Sequence, residues 1–288
     1  MLVTEAASTL TTRGVYAKDD ARCHMPAYDT CFPEWGCSAE TMWVEVAAKD
    51  YLAGAFVWTG FDYKGEPVPF KWPCVGSHFG IMDACGFPKD NYYYYLAWWG
   101  AAQVLHLLPH WTWTGREGEP IDVRCFSNCD EVELLLNGVS LGRKAMPRYR
   151  HLAWTVAYQP GELLARGYQG GLETARCVVE TAGAPVALRL TPQLAVTASG
   201  DAIPVMAEVV DAQGRLVPTA DNEVEFSVEG DGRVLGVGNG DPSSHEPDKA
   251  TRRRAFNGLA QAIVRGRGAI VAASPGLASV RCRIGSPP

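Results

Sequence analysis

No apolar stretch in this sequence approaches the ~20 residues that a membrane-spanning helix needs, so no membrane partner is expected. The first residues, Met1-Leu2-Val3-Thr4-Glu5, hold neither a basic segment with an apolar run nor a small-residue cleavage site, and no signal peptide is expected. Long blocks of one charge are also absent. The formal net charge is -6, and the densest basic run, Arg252-Arg253-Arg254, reads as a solvated strand or loop. No nucleic-acid partner is expected from such a balance. Nine cysteines are scattered along the chain without a single CxxC pair. Their spacing argues against zinc-type thiol clusters and their odd number fits a disulfide framework poorly, so most should pack as small apolar groups. No cofactor is expected, and no loop carries calcium-ligand spacing.

What is present is enough for two or three domains: 288 residues, 47% hydrophobic and 10% aromatic. Residues 1–104 are rich in aromatics. Ser38 to Asp50 reads as a helix, with Met42, Trp43, Val46 and Ala47 at the 3.6 period and Ser38 as its cap. The apolar run Ala53 to Thr59 follows, as expected for a strand buried on both faces of a parallel sheet. A second helix is expected from about Lys89 to Gln103, largely buried by its aromatic cover.

From about Leu105 the pattern becomes all-β, in short alternating segments broken by Gly, Pro and Asn. Strands are expected at 123–126, 132–136, 154–158 and 161–168, with Asn137-Gly138 as a hairpin turn. After a linker at 181–185, a second series is expected at 186–190, 203–210, 224–228, 261–264 and 269–273. Asn222-Glu223 reads as the turn before one of these strands.

Two side chains stand out chemically. Glu5 follows a short apolar start, where a barrel strand would present a carboxylate at its C-terminal mouth. Trp58 ends the second strand and offers either a stacking face for a sugar or a core aromatic. A retaining glycosidase needs two carboxyl groups about 5 to 5.5 Å apart, so Glu5 alone is half of such a site.

Several ordered motifs carry a resemblance. Thr4-Glu5-Ala6-Ala7-Ser8 with Arg13-Gly14-Val15-Tyr16 resembles the nucleophile region of family 2 glycoside hydrolases of the β-galactosidase type. Gly54 to Tyr63 with Gly65-Glu66-Pro67 is similar to that family's last barrel strand and the loop after it. Trp72-Pro73, His78 to Asp83 and Gly86 to Asp90 resemble the approach to its final helix, while Leu134 to Gly138, Val237 to Pro242 and Ala255 to Gln261 are similar to its C-terminal β modules.

The resemblance implies an α+β multidomain chain: the C-terminal strands and helices of an incomplete (β/α)8 barrel at 1–104, then immunoglobulin-like β-sandwich domains at 105–182 and 183–288. It implies that Glu5 is the nucleophile, that Trp58 lines the sugar-binding subsite and that Asp62 joins that pocket or, with Glu66, merely orders the loop. The expected substrate is a β-galactoside or related glycan. The family's acid/base, a Glu after Asn on an earlier barrel strand, has no counterpart here, so the isolated chain is expected to be inactive and its partner to be the missing N-terminal portion of the enzyme. The competing reading is a non-catalytic carbohydrate-binding or interaction protein, which an exposed aromatic row at Trp111 and Trp113 would support; the preferred reading of those two rings is that they pack at the junction between barrel and sandwich.

Overall fold

The computed structural model describes residues 1–193 and 202–284. It contains two compact units, Met1–Thr181 and Ala182–Pro288.

The first unit opens with β1 (Leu2–Ala7), α1 (Ala39–Ala47), β2 (Gly54–Trp58) and α2 (Asp90–Trp99). The two strands pair in parallel, with α1 in the connection between them. α1 begins where the sequence places a cap: Ser38 Oγ accepts from Thr41 N at 3.0 Å. A carboxylate joins it, because Asp29 accepts from the amides of Ala39 (2.9 Å) and Glu40 (3.1 Å). These acceptors satisfy donors that a helix start leaves unpaired. α1 buries Ala39, Met42 and Val46, and these pack with Tyr94 and Tyr95 of α2.

β2 departs from expectation. Ala55 and Val57 pack into the cluster formed with the helices, but Phe56 and Trp58 are 62% and 37% exposed. The cause is the period of two: with helices on one face of a two-stranded sheet, alternate side chains of β2 have nothing described to cover them. α2 likewise buries one face and leaves Trp99 exposed.

A β-sandwich completes this unit: β3 (Leu105–Leu108), β4 (Pro120–Ser127), β5 (Glu131–Leu136), β6 (Val139–Ala145), β7 (Leu152–Ala157), β8 (Glu162–Gln169) and β9 (Leu172–Glu180). The sheets run β3-β4-β7 and β6-β5-β8-β9. Val123, Cys125 and Trp154 from one sheet meet Val132, Leu134 and Leu163 from the other. Asn137 and Gly138, at φ of 50° and 81°, form the expected tight turn between β5 and β6. Trp111 is fully buried, and its indole donates to the Gln159 carbonyl at 3.0 Å. An exposed aromatic row at Trp111 and Trp113 is therefore excluded, since an apolar ring this large with a satisfied N–H belongs in the core.

The sandwich is joined to the preceding segment by both apolar and polar contacts. Leu108 and Phe126 share a cluster with Tyr94. Tyr28 donates to Asp122 O at 2.8 Å, Arg124 to Tyr28 O at 2.7 Å, and His106 bonds Asp90 at 2.7 Å.

The second unit holds β10 (Ala187–Pro192), β11 (Ala202–Val210), β12 (Glu223–Glu229), β13 (Arg233–Gly238), β14 (Arg252–Arg254), β15 (Leu259–Arg265), β16 (Gly268–Ala273) and β17 (Val280–Ile284). Its sheets, β10-β11-β15-β13 and β14-β12-β16-β17, enclose a core built on Val205, Ala207 and Val264 against Phe226, Ile270 and Ala272. The arginine run forms β14. Its outer members are exposed as expected, but Arg253 is buried, donating to Asp248 Oδ1 at 2.6 Å and Glu246 O at 2.9 Å. Strand alternation turns the middle residue of three inward, where it needs partners.

Candidate active site

Glu5 sits in an irregularity of β1. Val3 pairs with Ala55 and Ala6 with Val57, so β1 spends one residue more than β2 over the same interval. Such a bulge re-aims a side chain locally. Beyond it, Ala7 and Ser8 take φ of 68° and 60°, a left-handed conformation that non-glycine residues seldom adopt. The strand thus ends abruptly, leaving Glu5 exposed and, among the described residues, without a hydrogen bond or ion pair.

Trp58 is the neighbour across the ladder, paired with Ala7 at the same end of the parallel sheet. Its peptide bond to Thr59 is cis. The ring lies edge-on to Tyr63, with centroids 6.1 Å apart, and the Tyr63 hydroxyl donates to Glu66. Burial, then the Glu66 carboxylate, push the Tyr63 phenol up to about 12, so it remains a donor at neutral pH. Glu5 and Trp58 thus lie towards the same end of the paired strands, and Glu66 holds Tyr63 beside Trp58.

Asp62 is placed differently. It is buried, accepting from Gly80 N at 2.8 Å through one oxygen and pairing with Lys89 Nζ at 2.7 Å through the other. Both acceptor atoms are engaged inside the protein. Burial pushes the Asp62 carboxyl up and the Lys89 ammonium down, and each partner's charge opposes the other's shift. Lys89 also donates to Thr11 O (2.7 Å) and His78 O (3.2 Å), tying the segment after β1 to the segment after β2. Nearby, Arg13 pairs with Asp83 at 2.6 Å, and Thr12 bonds the ring of His78. Burial, then the Lys89 charge, push His78 down to about 3, leaving it neutral.

Lys89 and Gly80 are the parts that sequence reasoning missed. A Cβ at Gly80 would lie 2.1 Å from Asp62 N and 2.3 Å from Met82 O, so glycine is required there. Neither residue announces this by type or spacing; only the fold brings them to Asp62. Among the described residues, no three His, Cys, Asp or Glu side chains converge as a metal site.

Residues 188–283 match the glycoside hydrolase family 2 C-terminal domain 5, and residues 118–175 match a domain of unknown function (DUF4982). The chain is 40% identical to the β-galactosidase BoGH2A of Bacteroides ovatus over 96% of its own length and 35% of that protein's. It superposes on a β-glycosidase from Bacteroides vulgatus with a TM-score of 0.92 and 30% identity, covering 99% of this chain and 42% of that one. A family 2 β-glucuronidase structure gives a TM-score of 0.79 at 25% identity, covering 100% of this chain and 32% of that one. The chain belongs to glycoside hydrolase family 2, of which it is a C-terminal portion.

Proposed function

We propose that this chain forms the nucleophile side of the active site of a retaining β-glycosidase that acts on β-galactosides. On this reading residues 1–104 are the last part of a (β/α)8 barrel, and residues 105–182 and 183–288 are accessory modules, the second immunoglobulin-like. The observation that carries it is the juxtaposition of an exposed, unpaired Glu5 with a partly exposed Trp58 at the same end of two parallel strands. An Oε of Glu5 attacks the anomeric carbon, the bond to the leaving oxygen breaks, and water later hydrolyses the resulting ester. The leaving oxygen takes its proton from an acid on a part of the enzyme outside this sequence. Trp58 stacks on the apolar face of the sugar. Asp62 acts as a positioning residue through Lys89 and Gly80 rather than by touching substrate.

The choice of galactoside over glucuronide follows the relative that matches 96% of the chain at 40% identity, which is named a β-galactosidase. A purely carbohydrate-binding role loses its support with the burial of Trp111.

The test uses a 2-deoxy-2-fluoro-β-galactoside with a dinitrophenolate leaving group, which departs without an acid. Mass spectrometry of the incubated chain is expected to find one fluorosugar on Glu5 and none in Glu5→Gln. Label on another residue, or on the Gln variant, overturns the assignment. An ordinary chromogenic β-galactoside is expected not to be turned over by the isolated chain; turnover that Glu5→Gln abolishes would keep the nucleophile and reject the inactivity.

A further inference from the structure

The turn that ends β1 just after Glu5 is shaped from outside. Its left-handed residues, Ala7 and Ser8, hold a conformation that persists only where neighbours impose it. Cys37 N donates to Ala7 O and Leu10 N to Cys31 O, both at 2.7 Å. At Gly36 a Cβ would stand 2.8 Å from Ala7 O, so that close approach depends on glycine. The hydroxyl of Thr9 reaches Asp29 Oδ1 at 3.0 Å and Cys37 O at 3.3 Å.

Asp29 joins this turn to both helices. Besides Thr9, its Oδ1 accepts from Ala39 N at the start of α1 (2.9 Å) and from Asn91 Nδ2 on α2 (3.2 Å), while Oδ2 accepts from Glu40 N (3.1 Å). The two amides alone would make a helix cap, which Ser38 already supplies. The bonds to Thr9 and Asn91 reach beyond the helix start. Asp29 is itself left-handed, at φ of 59°. The ionisable groups facing it are Cys37 and Tyr95, each pushed up by burial and then by the Asp29 charge, and Tyr94, pushed up by burial, Glu40 and Asp29. Glu40 is paired with Arg150 and His151. Burial outweighs the four donors and pushes the Asp29 carboxyl up to about 6. A carboxyl raised in the folded state contributes stability below its unfolded pKa of about 4 and loses it as pH rises through the folded value. Ionisation at neutral pH therefore works against the fold, which a residue serving stability alone would not need.

We infer that Asp29 is a positioning residue for the nucleophile: its carboxylate, acting through Thr9, fixes the strand end that carries Glu5. The inference rests on the reading of Glu5 as the nucleophile and goes beyond it by naming the group that holds its strand and makes that hold respond to pH. Protonation weakens Asp29 as an acceptor, and the left-handed turn then loses one of the contacts that impose it. Asp29 does not itself react.

The experiment follows dinitrophenolate release from the fluorogalactoside by the full chain on both sides of neutral pH, for the wild type, Asp29→Asn, Thr9→Val and Thr9→Ser, with a thermal melt of each at every pH. Wild-type labelling is expected to slow as pH falls through about 6. Asp29→Asn should label about tenfold more slowly at neutral pH, the scale of a sub-ångström misplacement, and lose the step in its pH profile. Thr9→Val, which removes the hydroxyl at nearly constant size, should share the slowing, and Thr9→Ser should not. The melts separate positioning from folding: relative to Asp29→Asn, the wild type should lose stability as pH rises through about 6 while it gains labelling rate. Asp29→Asn or Thr9→Val labelling at the wild-type rate, or a step near pH 6 that survives Asp29→Asn, overturns the inference and leaves the nucleophile reading intact. A wild type that takes no label on Glu5 overturns both. Should Asp29→Asn fail to fold, the Thr9 pair decides, and Thr9→Val no slower than Thr9→Ser rejects the inference.

Discussion

At Asp211 a turn signal conceals a larger electrostatic role. The run Asp211-Ala212-Gln213-Gly214 reads as a turn from its residue types, and Gly214 does take φ of 77°. The carboxylate, however, accepts from the amides of Gly183 (2.8 Å), Gln213 (2.9 Å) and Arg215 (2.9 Å), and pairs with the Arg215 guanidinium at 2.7 Å. Burial alone would raise its pKa, but these donors overcome burial and hold it down at about 2. A group depressed in the folded state contributes stability above its unfolded pKa of about 4, and loses it as pH falls through the folded value. Asp211→Asn is therefore expected to cost about 2 kcal/mol near neutral pH. Its deficit relative to the wild type should shrink between about pH 4 and pH 2, as read from thermal melts across that range. A deficit that stays constant with pH would mean that the turn's shape, and not its charge, is what matters.

The elements divide by how local their causes are. α1 could be read in advance because its cap and apolar period lie within its own residues, and the hairpin at Asn137-Gly138 because two adjacent residues determine the turn. Asp29, the second acceptor at the start of α1, was not legible, since it reaches the helix from ten residues upstream. β2 was read correctly as a strand and wrongly as buried, because an apolar run records composition and not how many strands flank it. Of the candidate site, Glu5 and Trp58 were legible through motif resemblance, whereas Lys89 was not: its partners Thr11, Asp62 and His78 lie between 11 and 78 positions away from it. That clamp yields a direct expectation. Lys89→Met strips Asp62 of its counter-charge in a buried site and should lower stability by roughly 3–5 kcal/mol. The double variant Lys89→Met with Asp62→Asn should recover part of it, because the stranded charge is gone. Denaturant titration of the three variants checks this, and a double variant no more stable than Lys89→Met would rule out charge burial as the cause.

For the whole molecule, the open question is what lies against the uncovered face of the two-stranded sheet. Parallel sheets are ordinarily covered on both faces, and two parallel strands are a small fraction of any closed barrel. Here β1 and β2 have helices on one side only, and Leu2 and Phe56 are 54% and 62% exposed. The relatives reported above are about two and a half to three times longer, since this chain spans 35% to 42% of two of them and 32% of the third. On the proposed reading, the rest of a barrel covers Leu2 and Phe56, and without it the sheet is an adhesive surface with unpaired edges. The isolated chain should therefore self-associate with rising concentration. Phe56→Ser should reduce that association while changing unfolding stability by no more than about 0.5 kcal/mol, since an exposed side chain has little packing to lose. Sedimentation velocity over a concentration series measures the first effect and thermal melting the second. A wild-type chain that stays monomeric at every concentration would count against a surface evolved to be covered. A large stability loss in Phe56→Ser would mean that the ring already has its partners within this chain.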